Sequence, residues 1–451
     1  MNQTSKLIVS QTDRDRFARA TTTVLEGKQI LTPNFSPLIQ TPKEFDIYLK
    51  TILSKENNEH LGTLVMRIFD ASNILLPYIN FKNQNGIDGK LAYGPYKEFF
   101  ENTICLIDPA TEYMTFEFHS EDLVQFVNKV RLPQQFITYL QQKEFTRKHS
   151  SSKAYETWKN REYKKFWYDL DQRRLNDLIT GYFDLESKFE TKILIPPMVV
   201  VDNERLLNIA IGINDMGKAL AVNRGECATY FLLSKSTLRD ATIIEKIIEY
   251  IRKDSSTLTI FKFKNLTLWE TGCLMERDTF RDLMKEISDI KKDHPKRIFM
   301  LLEGSYHCFP AASYGFDIVS SSLRLLDIDS AYGTNAGYGG YFNEDNLWNV
   351  KFSALPEIIL NNDGHLPCPC HVCKNITYDE VEKKILYDNK EVLPGDWNYK
   401  RRDHNLFVMN DLMKIINRAI KERQIELVRE RIKNSELGNL KTLIPQHYES
   451  E

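Results

Sequence analysis

The strongest constraint on the fold of this chain is an alternation. Apolar runs at Leu61–Phe69, Ile104–Asp108, Ile193–Asp202, Ala228–Leu233, Leu258–Lys262, Arg297–Glu303 and Phe316–Ser320 are separated by segments with helical spacing. Two helices read most clearly. Ala241–Lys253 places Ile243, Ile244, Ile247, Ile248 and Ile251 on one face, and Asp278–Lys292 starts at an aspartate suited to an N-cap. Nearly unbroken apolar strands with helices between them predict an α/β chain built on a parallel sheet. That many units over roughly 300 residues suit a (β/α)8 TIM-type barrel, with a doubly wound sheet as the competing arrangement.

Ahead of these units, Thr21–Thr32 reads as a hairpin turning at Gly27 and ended by Pro33 and Pro37, after which Thr41-Pro42 opens a helix.

A second feature is chemical. Cys368-Pro-Cys370-His-Val-Cys373 packs three thiols into six residues, and His404 follows where a long helical pattern begins. Zn²⁺ takes four soft or borderline ligands in a tetrahedron, and Cys₃His is a standard closed set. Cys368, Cys370, Cys373 and His404 are therefore the predicted ligands of a structural zinc, with His365 and His371 as nearby alternatives for the fourth position. A closed set leaves no place for a reactive water, so the expected metal holds the fold and takes no part in catalysis.

Composition narrows the class without naming it. Across 451 residues the net charge is −2, so any polyanion must meet a local patch. Seven cysteines, an odd number, and no apolar run of membrane-spanning length point to a reducing, cytoplasmic setting with no membrane partner.

Two stretches are locally basic. Lys143–Arg174, inside an insertion at about 143–190, interleaves Lys and Arg with Tyr155, Trp158, Tyr163, Phe166, Trp167 and Tyr168. It suits either a helical excursion whose aromatics pack inward or a surface that stacks bases and neutralises phosphates. From Asn405 to Asn434 a long helix or helix pair carries Leu406, Met409, Leu412, Ile416, Ile420, Leu427 and Val428 at helical spacing, with Lys414, Arg418, Lys421, Arg429 and Arg431 on the remainder.

Several separated pieces together resemble one family. The CxCxxC cluster, the histidine of His404-Asn-Leu-Phe-Val-Met, the early Thr32-Pro33-Asn-Phe-Ser-Pro37 and the run Gly315-Phe-Asp317-Ile-Val are similar to the tRNA-guanine transglycosylase superfamily. The correspondence runs in order from Val24 to Ile420, densest in the zinc segment. The resemblance implies a β/α barrel with a zinc-binding subdomain inserted near its last strand. It also implies an enzyme, a pentosyltransferase that exchanges guanine in tRNA, or in DNA for a divergent branch, for a 7-deazaguanine base. In this frame residues 20–345 form the barrel, 346–434 the zinc subdomain with the C-terminal helix, and 435–451 a polar tail.

Retaining exchange at C1′ needs an attacking carboxylate that holds the sugar covalently, and a second carboxylate that reads the base and moves its proton. The resemblance assigns base recognition and proton transfer to Asp108, and further base contacts to Asp202 and to Gly272 of Trp269-Glu-Thr-Gly272. At the nucleophile position stands Ser320, a neutral residue. Asp317 is the first candidate for attack and Asp327 and Asp329 the next; otherwise the chain is a non-catalytic subunit that binds nucleic acid or a partner enzyme. The family segment carrying glutamine and glycine reads Tyr230-Phe-Leu-Leu-Ser234-Lys-Ser here. The resemblance also implies assembly through the zinc region, as a homodimer or with a partner subunit.

Overall fold

The computed structural model describes residues 13–14, 19–25, 27–54, 59–77, 79, 103–111, 138, 142, 145–146, 149–234, 237–263, 278–304, 307–323, 341–343, 348–350, 355–379, 381 and 395–435. The chain divides into two compact units: residues 1–64, 94–104 and 265–451 form the first, and 65–93 and 105–264 the second.

In the first unit the strand Arg19–Leu25 pairs antiparallel with Lys28–Thr32 around Gly27, whose φ of +79° is left-handed backbone that glycine enters at little cost. The expected hairpin is there, but it does not end the β-structure. Asn34–Ile39 forms a further strand, fully buried, that runs parallel to Ile318–Ser322, and this in turn pairs parallel with Ile298–Leu302. Pro37 made a strand here look improbable, since it donates nothing to a ladder. Helix Pro42–Leu53 follows, with Thr41 as N-cap: its hydroxyl accepts from the Glu44 N–H while the Glu44 carboxylate accepts from the Thr41 N–H, a capping box.

The C-terminal helices belong to the same unit. Gly395–Lys421 runs as one helix, so His404 lies inside it and does not open it. Polar residues extend the helix beyond its apolar stripe. Arg402 meets the buried Glu44 carboxylate at 3.2 Å and lies over the Tyr399 ring. Arg423, with φ +57°, marks the break before a second helix, Ile425–Asn434. Leu427, expected on the apolar face, is 61 % exposed, whereas Arg429 is buried and donates to the Ser313 carbonyl at 2.6 and 3.1 Å. Tyr341–Asn343 pairs antiparallel with Trp348–Val350.

In the second unit the strands Leu258–Phe263, Thr229–Leu233 and Val200–Val201 are parallel neighbours. Their helices follow the expected rhythm. Ala241–Lys253 is capped by Asp240, whose carboxylate accepts from the Thr242 and Ile243 N–H groups, and the predicted isoleucine face is buried. Glu204–Ala221 is capped by Asn203. The insertion forms two helices, Ser152–Tyr168 and Gln172–Glu186.

Ile104–Asp108 and Val200–Val201, in the second unit, are edge strands. Those two are not paired with each other among the described residues, so the expected eight-stranded barrel is not closed here. The run Ile193–Asp202, expected as one strand, shows a physical reason. Pro196 and Pro197 have no N–H, and the next donors are taken by side chains: Met198 N donates to the Thr111 hydroxyl at 2.9 Å and Val200 N to the Tyr163 hydroxyl at 2.9 Å. Only Ile193–Leu194 and Val200–Val201 remain as strand.

Candidate functional site

Cys368, Cys370, Cys373 and His404 converge, their ligand atoms all lying within 4.8 Å of one another. His404 Nδ1 stands 3.5 Å from the Cys368 and Cys370 sulfurs and 3.2 Å from that of Cys373. Bond lengths of about 2.3 Å to sulfur and 2.0–2.1 Å to nitrogen put the S–N edge of a zinc tetrahedron at about 3.5 Å, so the donor set fits Zn²⁺ in kind and spacing. The cysteines sit on a short tight turn that packs with Leu355, Ile359, Leu366, Ile376 and Val381 into a small core of their own. A metal there would clamp that core onto the helix Gly395–Lys421. Next to His404, Asn405 donates to the Leu323 carbonyl at 3.0 Å, just past the exit of strand Ile318–Ser322.

In the second unit Asp108 ends the buried strand Ile104–Asp108. One carboxylate oxygen accepts from the Ala110 N–H at 2.9 Å, in a turn where Ala110 has φ +51°. The other meets the Lys262 ammonium at 2.8 Å, with side chains 0 % and 4 % exposed. Lys262 lies one residue before the end of its strand, level with Leu232 on the neighbouring strand.

Close to Asp108 lies a third ionisable group. Glu186 is fully buried at the end of its helix; one oxygen accepts from the Ile195 N–H at 2.8 Å, and the other has no hydrogen-bond partner among the described residues. Burial pushes its carboxyl well above the ordinary value, and the negative charge of Asp108 adds to that shift. Neither Lys262 nor Glu186 was found from sequence. The signal for Lys262 was there, a cation inside the apolar strand Leu-Thr-Ile-Phe-Lys-Phe; Glu186 carried none.

Asp202 also stands just past a strand, the short Val200–Val201. It does not cap the following helix, a role held by Asn203. Its carboxylate meets Lys164 of the insertion at 2.6 Å and accepts from the Asn203 side-chain amide at 2.6 Å. Of the insertion's aromatics, Tyr155, Tyr163, Phe166 and Trp167 are buried. Packing therefore claims most of the rings that a stacking platform would need, while Lys153, Arg161 and Lys165 remain exposed.

Asp317 and Ser320 belong to the first unit. Asp317 is 1 % exposed and lies at the entry to strand Ile318–Ser322, the end opposite to that where barrel enzymes place their chemistry. Arg19 donates to both its oxygens, at 2.8 and 3.1 Å, Lys291 to one at 3.1 Å and the Phe299 N–H to the other at 3.0 Å. Burial alone pushes the Asp317 carboxyl up, but the charges of Arg19 and Lys291 and the donated hydrogen bonds outweigh it and hold it below its ordinary value. An offset of three residues turns Asp317 to the sheet face opposite to that of Ser320. Ser320 is fully buried, level with Ser36 on the neighbouring strand, and its hydroxyl has no partner among the described residues. Gly272, Asp327 and Asp329 lie outside the described residues.

No helix among the described residues is long and apolar enough to cross a membrane. No protein-family model matches the chain. Among curated proteins, a tRNA-guanine(15) transglycosylase of Methanosarcina barkeri is 27% identical over 214 residues, which is 47% of this chain and 39% of that protein. Its counterpart in Methanosarcina acetivorans is 26% identical over 217 residues, again 39% of its length. The matches thus cover well under half of those proteins' length, and the likeness they support is to the tRNA-guanine transglycosylase superfamily.

Proposed function

We propose that this chain is a guanine-exchanging transglycosylase acting on nucleic acid, replacing guanine by a 7-deazaguanine in tRNA or DNA. The observation that carries this reading is Asp108: a carboxylate at the C-terminal end of a buried strand, held between the Ala110 N–H and Lys262, in a chain whose relatives are named transglycosylases. In this role Asp108 recognises the base edge by accepting from a ring N–H, and the proton it moves is the one that the departing base gains and the arriving base loses at the glycosidic nitrogen. Asp202 and Gly272 supply further base contacts. Zinc, held by Cys368, Cys370, Cys373 and His404, contributes folding energy and no reactive water.

Attack on C1′ calls for a carboxylate that is free to approach the sugar. The oxygens of Asp317 are occupied by four donated hydrogen bonds, so we assign attack to Asp327 or Asp329, which follow the strand Ile318–Ser322 beyond its C-terminal end. The test is incorporation of labelled guanine or 7-deazaguanine precursor into tRNA or duplex DNA, with Asp108→Asn, Asp327→Asn and Asp329→Asn variants. Incorporation lost in Asp108→Asn and in one of the other two supports the assignment.

Ser320 favours a second reading, a non-catalytic subunit that binds nucleic acid or a partner enzyme, because its buried hydroxyl cannot inherit the work of a carboxylate. Binding of either polymer without incorporation selects it.

A further inference from the structure

The Asp108–Lys262 pair is costly as mere packing. Two charges buried side by side each lose their hydration, and apolar residues of the same volume commonly stabilise a fold as well or better. What the pair provides is direction: an acceptor and a donor fixed 2.8 Å apart at the ends of two strands. Guanine and 7-deazaguanines present the complement, a C6 carbonyl acceptor beside the N1–H donor, whereas adenine presents an amino donor beside an N1 acceptor. A carboxylate alone answers the N–H and leaves the carbonyl without a donor, and a polar atom left unpaired in a dry site is heavily penalised. The strand that would bring a glutamine in the family carries only Tyr230, Phe231, Leu232 and Leu233 before Ser234, all four fully buried, with the Tyr230 N–H and carbonyl engaged by Asn214.

We infer that Lys262 is a specificity-determining residue, its ammonium donating to the C6 carbonyl of the base while Asp108 accepts from the adjacent ring N–H. This inference rests on the exchange reading above. The pair preorganises both charges, so the base replaces part of an existing contact. Lys262 thereby supplies the donor that the Tyr230–Ser234 segment lacks.

The test uses the full chain and measures uptake of labelled guanine into tRNA or duplex DNA, with unlabelled guanine and 6-thioguanine as competitors. The thiocarbonyl keeps the base's shape but accepts hydrogen bonds weakly. Wild type is expected to prefer guanine, and Lys262→Met to raise the KM for guanine roughly 10- to 100-fold while the preference between the two bases collapses, the size expected for one charge-assisted hydrogen bond. Lys262→Arg and Lys262→Gln retain a donor and should retain the preference, which also decides the matter if Lys262→Met does not fold. A folded Lys262→Met that keeps the wild-type KM and preference, or loses both bases equally, overturns the inference and leaves the exchange reading standing. If wild type incorporates guanine into neither polymer, the exchange reading itself fails and the inference falls with it.

Discussion

Arg19 and Asp317 form a buried ion pair across 298 positions of sequence, Nε to Oδ1 at 2.8 Å. Arg19 also donates to the carbonyls of Pro295, at 2.7 Å, and Arg297. One guanidinium thus ties the start of the N-terminal hairpin to the start of strand Ile318–Ser322 and to the turn before strand Ile298–Leu302. Such a pair is unremarkable in stability while whole, but removing one partner leaves the other charge buried and alone.

Asp317→Asn is accordingly expected to cost about 3–5 kcal/mol of stability. Thermal or urea unfolding measures the loss. At a temperature where the variant is still folded, any exchange activity should stay within an order of magnitude of wild type. A stable but inactive Asp317→Asn would return the attacking role to this residue.

Stability should also depend on pH through Asp317. Its carboxyl is held below the ordinary value, so its contribution is present above the unfolded carboxylate range and disappears as pH falls through the folded value. Melting temperature measured downward from neutral pH should fall more steeply in wild type than in Asp317→Asn.

Glu186 predicts the opposite sign. Its carboxyl is raised well above 4.5, so the folded protein binds a proton that the unfolded chain has released, and stability declines as pH rises from the unfolded value towards the folded one. The slope is at most about 1.4 kcal/mol per pH unit for one group. Glu186→Gln keeps the acceptor for the Ile195 N–H and should flatten this decline, read as a smaller fall in melting temperature above pH 5.

Metal analysis should find about one zinc per chain, and Cys370→Ser should lower both zinc content and stability, since the binding energy of a closed site is largely folding energy. An unfolding curve unmoved by a strong chelator would exclude the clamp between the cysteine turn and His404.

The insertion separates packing from surface charge. Trp167 is 2 % exposed, and Trp167→Ala should cost about 3–5 kcal/mol. Tyr163→Phe leaves the Val200 N–H without its acceptor and should cost about 1–3 kcal/mol. Substituting the exposed Arg161 and Lys165 together should leave stability within about 0.5 kcal/mol. If those cations meet phosphate, the same pair weakens nucleic-acid binding and flattens its salt dependence.

Local pattern was enough for much of this protein. The isoleucine face of Ala241–Lys253, the strand Ile104–Asp108, the Thr41 cap and the four metal-site residues are legible because each rests on spacing over a few residues or on a rare residue type. Local pattern is a weaker guide where partners are distant. Pro37 argued against a strand that Ile318–Ser322 nevertheless stabilises, and Pro196 and Pro197 split a run whose apolar character promised one strand. Periodicity reports which face of an element is covered, not what covers it. That Asp108 faces Lys262 from 154 positions away, and that Asp317 is enclosed by Arg19 and Lys291, was decided only when tertiary packing brought those charges out of water together.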